Sequence, residues 1–243
     1  MINERNIAEK FSAIWKQNFP MLTPNFIKIF NETQVNLINL NAVSINDGER
    51  YDLVSEASFK LAELVIQKNC TPSDYLSHQK SLSILLENTA QSIWRKGGQF
   101  GADIKLTNSE LKDLIQLSNN LLEFIHFTKK EDIQFRPKLK GYGFIPDLEA
   151  DLSIDDTLYE VKTVTRNFKS TDLKQLFIYL ALRQVSEGNT WQYAGLYNPR
   201  KGTFTKFNVK KVIYNLSGGY TPNEAFGKLL DGLVRDIEID TTF

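Results

Sequence analysis

The sequence has few of the devices that staple, anchor or extend a chain. It carries one cysteine, Cys70, so no internal disulfide can form. A run of about eighteen apolar residues, the minimum for a membrane-spanning helix, occurs nowhere. The first thirty residues lack the basic-then-apolar layout of a secretory leader, and the expected location is the cytoplasm. Neither charge dominates: 29 Lys and Arg face 29 Asp and Glu, so the whole-chain charge argues neither for nor against a polyanionic partner. Internal repeats and low-complexity segments are also missing.

What remains is a chain of 243 residues with 42% apolar side chains. That suffices for one large domain, or for a catalytic domain with an added subdomain. Residues 1–105 read as mainly helical. Ile7, Phe11, Ile14 and Trp15 have helical spacing over 3–18, and residues 50–69 repeat the pattern. A further helix is expected from Thr71 as cap, with Pro72 at its first position. Residues 26–45 stay undecided, because VNLINLNAV alternates more like a strand. GGQFG at 97–101 then breaks the chain and marks the expected boundary.

Residues 106–243 change character. A helix with Leu111, Leu114, Ile115, Leu122 and Ile125 on its apolar face is followed by three strand-like pieces. Next come a helix capped by Ser170 or Thr171 and ending near Gly188, a hairpin around NPRKG, and a last helix from Thr221 and Pro222. The expected fold class is α/β, with a mixed central sheet.

The stretch EADLSIDDTLYEVKTV, residues 149–164, carries the chemistry. With Asp155 and Asp156 as a two-residue turn, Asp151 faces Glu160 and Glu149 faces Lys162, while Ala150, Leu152, Ile154, Tyr159 and Val161 take the opposite, apolar face. Three carboxylates and one lysine on one face leave a charge deficit. A hard divalent cation such as Mg²⁺ or Mn²⁺ would fill it, and could lower the pKa of a bound water beside a phosphodiester.

These residues resemble the PD-(D/E)XK, or restriction-endonuclease-like, nucleases. Asp151 matches the aspartate, and Glu160-Val161-Lys162 the (D/E)XK element. The literal Pro146-Asp147 precedes the hairpin register, so Asp151 is favoured over Asp147. The resemblance spans residues 107–210 and implies an αβββαβ core, with Asp151, Glu160, Val161 and Glu149 around Mg²⁺ and Lys162 positioning the water. Gln175 and Tyr179, four apart on the next helix, are similar to the QxxxY element of the RecB-like branch, which helps hold the nucleic-acid strand. Some members add an upstream histidine or glutamate as metal ligand; His126, Glu123 and Glu87 are the candidates here. His126, between apolar neighbours in FIHF, also suits a core position.

Charge distribution points the same way. From Lys162 to Lys211 there are ten basic residues against two acidic ones, the sign that suits a phosphate backbone. Arg166, Lys169 and Lys174 are the nearest to the motif. The expected function is a metal-dependent nuclease acting on DNA, in restriction, anti-phage defence or repair, with an ATPase or helicase partner or a second copy of the chain as companions the resemblance implies. The alternative is a non-catalytic nucleic-acid-binding or assembly subunit on the same fold.

Overall fold

The computed structural model describes residues 4–38, 41–45, 48–95 and 104–241. The GGQFG break therefore lies outside the described residues. The periodic segment over 3–18 forms two short helices, α1 (Glu4–Lys10) and α2 (Ser12–Asn18), interrupted at Phe11. The interruption leaves the Ile7 carbonyl available, and the buried Trp15 indole N–H donates to it at 3.0 Å. The undecided interval resolves into α3 (Pro24–Thr33), capped by the Thr23 hydroxyl, and a short edge strand, β1 (Asn36–Leu37).

Helix α4 (Tyr51–Lys68) follows its apolar period. The helix expected from Thr71 begins there, as α5 (Pro72–Leu76), but resumes only at α6 (Gln79–Arg95). Ser77 explains the stop, since its hydroxyl donates to the Asp74 carbonyl at 2.7 Å and competes with helical continuation. Helix α7 (Asn108–Thr128) opens with a reciprocal cap between Thr107 and Glu110.

Then come β2 (Ile133–Phe135), β3 (Lys138–Leu139), β4 (Leu148–Glu149), β5 (Leu152–Ile154) and β6 (Thr157–Val161). Helix α8 (Ser170–Glu187) crosses over to β7 (Tyr193–Asn198), which β8 (Thr203–Phe204) and β9 (Phe207–Asn208) follow. The chain ends in α9 (Val209–Ser217) and α10 (Pro222–Thr241). The main sheet runs β1-β8-β7-β6-β5-β2, with β9 also on β7; β6 and β7 are parallel and the other pairs antiparallel. The fold is α/β with a mixed sheet.

The hairpin turn forms at Asp155-Asp156, with Leu152 opposite Tyr159 and Ile154 opposite Thr157. A turn without glycine is tolerated because Asp155, at φ 50°, anchors it through its carboxylate. That carboxylate accepts from the backbone N–H groups of Lys130, Glu131 and Asp132 at 2.9–3.0 Å.

Before Leu152 the strand leaves β6. Residues 148–154 stay paired with residues 133–139 through one register, Phe135 opposite Leu152 and Lys138 opposite Glu149, linked by Arg136 N–H to the Asp151 carbonyl at 2.9 Å. Arg136 sits at φ 51°, in the left-handed region, and the ribbon bends there. Two expectations fail in consequence. Ala150 joins the core on the α8 side instead of that of Leu152, and Glu149 pairs with β3 away from Lys162.

Both faces of the sheet are covered. Leu158, Ala194 and Leu196 pack under α8 and α10 together with Ile7 and Trp15. Tyr159, Tyr197, Leu152 and Ile154 pack against Phe59 of α4 and Leu121 and Phe124 of α7. The helices before residue 105 thus share these cores: α1 lies on α8, and α4 on α7.

Candidate active site

The bend that removes Glu149 shapes what stays. The Lys162 N–H donates to Tyr197 of β7 at 2.7 Å, so the preceding Val161 N–H points toward β5. Because the ribbon has bent away, the Asp151 carboxylate accepts that N–H at 2.7 Å. Strand alternation then places Glu160 and Lys162 on one face, where the Lys162 ammonium meets Glu160 Oε1 at 2.7 Å.

Helix α8 completes the cluster. Lys162 Nζ donates to Gln175 Oε1 at 2.6 Å, and Gln175 Nε2 donates to the Tyr179 hydroxyl at 3.1 Å. One helical turn separates Gln175 from Tyr179, which is why both reach the strand. Tyr179 is buried, so it acts on the site by fixing Gln175 and not by touching a ligand.

The electrostatics are unbalanced. Glu160 is 2% exposed, and its Oε2 is buried without a hydrogen-bond partner. Burial, reinforced by the neighbouring Asp151 charge, pushes the Glu160 carboxyl up to about 8. For Lys162, burial pulls the pKa down, but Glu160 and Asp151 outweigh it and the net shift is upward. Lys162 is therefore an ammonium, suited to orienting a water or phosphate oxygen rather than removing a proton.

Asp151 and Val161 line a cleft of about 230 Å³ under α4, shared with Tyr51, Glu56 and Arg136. On the Lys162 side a second cleft of about 290 Å³ is lined by Tyr51, Arg5, Arg166 and Gln175. No cluster of three or more His, Cys, Asp or Glu suited to a metal ion is found among the described residues. Mg²⁺ commonly binds through one or two carboxylates and keeps several waters. Asp151 with Glu160, whose Oε2 lacks a donor, meets that smaller requirement.

No family model matches the chain. No solved structure matches it either. Over 189 residues, 74% of its length, the chain is 24% identical to the uncharacterized phosphotransferase YvkC of Bacillus subtilis (strain 168). It spans about a fifth, 21%, of that protein.

Other expected site residues lie elsewhere. Glu123 and His126 line a separate cavity with Ile66 and Ile133, and Glu87 is exposed on α6. Acidic groups of the N-terminal helices also approach the cluster: Glu4, whose charge acts on Glu160, Asp52 and Glu56 in the Asp151 cleft, and Glu9 in the Lys162 cleft. They come from helices whose sequences carry no motif, so only the fold could reveal them. Asp147 accepts from Gly141 N–H at 2.7 Å and holds the loop between β3 and β4.

The basic segment is largely committed to structure. Arg166 makes a two-pronged pair with Asp172 at 2.7 and 2.9 Å, which closes the start of α8. Lys174 turns away, lying over the Trp15 ring at 5.4 Å. Arg200 is buried against the Val43 and Ser44 carbonyls and Asp113. Lys169, Lys206, Lys210 and Lys211 remain exposed.

Proposed function

We propose that the protein is a metal-dependent nuclease that hydrolyses phosphodiester bonds of DNA. The carrying observation is the partnerless, buried Oε2 of Glu160, whose other oxygen meets the Lys162 ammonium and whose carboxylate feels the neighbouring Asp151 charge. A carboxylate so placed is destabilised unless protonated or joined by a cation. The succession α7, β2, β5, β6, α8, β7 supports reading the core as restriction-endonuclease-like, with Asp151, Glu160 and Lys162 on its central hairpin.

Asp151 and Glu160 would hold Mg²⁺ or Mn²⁺, which when bound supplies Lewis acidity toward a phosphate oxygen and a more acidic water. Lys162 donates an N–H to the attacking water or to a non-bridging oxygen, held in place by Gln175. Tyr179 keeps the Gln175 amide turned so that its oxygen faces Lys162. Restriction, anti-phage defence or repair, alone or beside an ATPase or helicase, is the setting that the resemblance implies.

Purified protein is incubated with linear and circular DNA in Mg²⁺, Mn²⁺ or EDTA, beside Asp151→Ala and Lys162→Ala. Metal-dependent cutting that both variants lose is expected. Cutting that survives in both would refute the site, and no cutting at any condition would favour a binding subunit. The likeness to a protein named as a phosphotransferase favours a second reading, phosphoryl transfer. Labelled ATP with the same proteins tests it, since transfer of label without DNA cutting would replace the nuclease.

A further inference from the structure

Tyr51 is the first residue of α4, is 57% exposed, and lines both clefts that flank the Asp151–Glu160–Lys162 cluster. Exposed tyrosines are ordinary, but this one is shared by the linings of both clefts. On its Lys162 side the cleft wall carries Arg5, Arg166 and Lys162 against Glu9 and Asp172, an excess of one positive charge. Among the described residues Arg5 pairs with Glu9, at 3.1 Å with both side chains exposed, a pair of little strength that a phosphate can replace. Arg166 is bound more firmly to Asp172, yet its side chain is still 35% exposed toward the cleft.

An aromatic face beside a cationic wall is the arrangement that holds unpaired nucleotides: the ring stacks a base and the cations follow the backbone. Resting on the nuclease reading, we infer that Tyr51 is a base-stacking platform and Arg5 a backbone-phosphate contact, so that the strand is unpaired where it enters the site. In this arrangement α1 and the start of α4 form the substrate wall, which gives the N-terminal helices a role in choosing single-stranded over duplex DNA.

The test is binding in EDTA, where no hydrolysis occurs, of single-stranded and duplex oligonucleotides of one sequence, one base of the single strand being the fluorescent analogue 2-aminopurine. Tyr51→Ala should weaken single-strand binding roughly 5- to 150-fold and relieve 2-aminopurine quenching, with Tyr51→Phe restoring both. Arg5→Gln should lower the slope of log affinity against log salt by about 0.7, one single-strand phosphate contact. Unchanged single-strand affinity in Tyr51→Ala, or tighter binding of duplex, would overturn the inference while DNA cutting by the unaltered protein left the nuclease standing. Failure of the unaltered protein to bind either DNA in EDTA would overturn this inference, and only the added absence of cutting in Mg²⁺ and Mn²⁺ would overturn the nuclease reading.

Discussion

Two buried glutamates in this chain are treated in opposite ways. Glu110, 1% exposed at the start of α7, accepts four hydrogen bonds: from Arg50 N–H, Nε and Nη2 and from Thr107 N–H, all within 3.1 Å. Its carboxyl is held down to about 2, foremost by Arg50, against the opposing effect of burial. Glu160 has one cation on one oxygen and nothing on the other, and is pushed up to about 8. Both are almost closed to solvent, but Glu160 is the more deeply embedded of the two and has the fewer partners. Glu110 joins α4 to α7, whereas Glu160 keeps a partnerless oxygen from which packing alone gains nothing.

The largest effect should come from relieving the incomplete site. Because Glu160 titrates near 8 when folded and near 4.5 when unfolded, the folded state retains a proton between those values that the unfolded state releases. Stability from this group is therefore fully present below about 4.5 and is lost as pH rises through about 8. Glu160→Gln keeps the shape without the charge, and should gain on the order of 3 kcal/mol over the unaltered protein between pH 4.5 and 8. Thermal melts in EDTA across that range measure it; parallel pH profiles for the two proteins would break the comparison.

A smaller effect of opposite sign is expected at the completed site. Glu110→Ala removes both the cap and the Arg50 pair, and should cost about 2 kcal/mol near pH 7, a fall in Tm of roughly 4–8 °C. The linkage also has the opposite direction: Glu110 contributes stability above about 4.5 that is lost as pH falls through about 2. Acid unfolding of the variant should lack that component, and an unchanged acid limb would show that the pair adds little.

The smallest effect concerns Lys174. Its ammonium lies over Trp15, and burial lowers its pKa. Lys174→Ala should cost about 0.5–1 kcal/mol and leave DNA affinity and its salt dependence unaltered. A drop in the salt slope would restore it to the nucleic-acid surface.

The parts legible in the sequence were those written in local pattern. Leu152, Ile154 and Tyr159 alternate with Ser153 and Leu158 at a spacing that fixed the hairpin register, and Thr71 and Gly188 marked helix ends that the structure retains. Helix α9 was missed although Asn208 caps it and Gly218 closes it, because the strand-like TFTKFNV runs directly into it. The departure of Glu149 was not legible, since it depends on Arg136 taking a left-handed conformation that arginine rarely adopts. Arg200 and Lys174 counted toward the basic excess because charge in a sequence carries no record of partners. Tyr51, Glu4 and Glu56 reach the site by tertiary packing of helices distant in sequence, which no spacing rule encodes.

The most direct test of the unfinished carboxylate is its own titration, followed by NMR through the ¹³C side-chain signal of Glu160 assigned by comparison with Glu160→Gln. Without divalent ions the midpoint should lie near 8, and saturating Mg²⁺ should bring it below the ordinary glutamate value near 4.5. A midpoint at the ordinary value in EDTA, or one that Mg²⁺ does not move, would contradict the account.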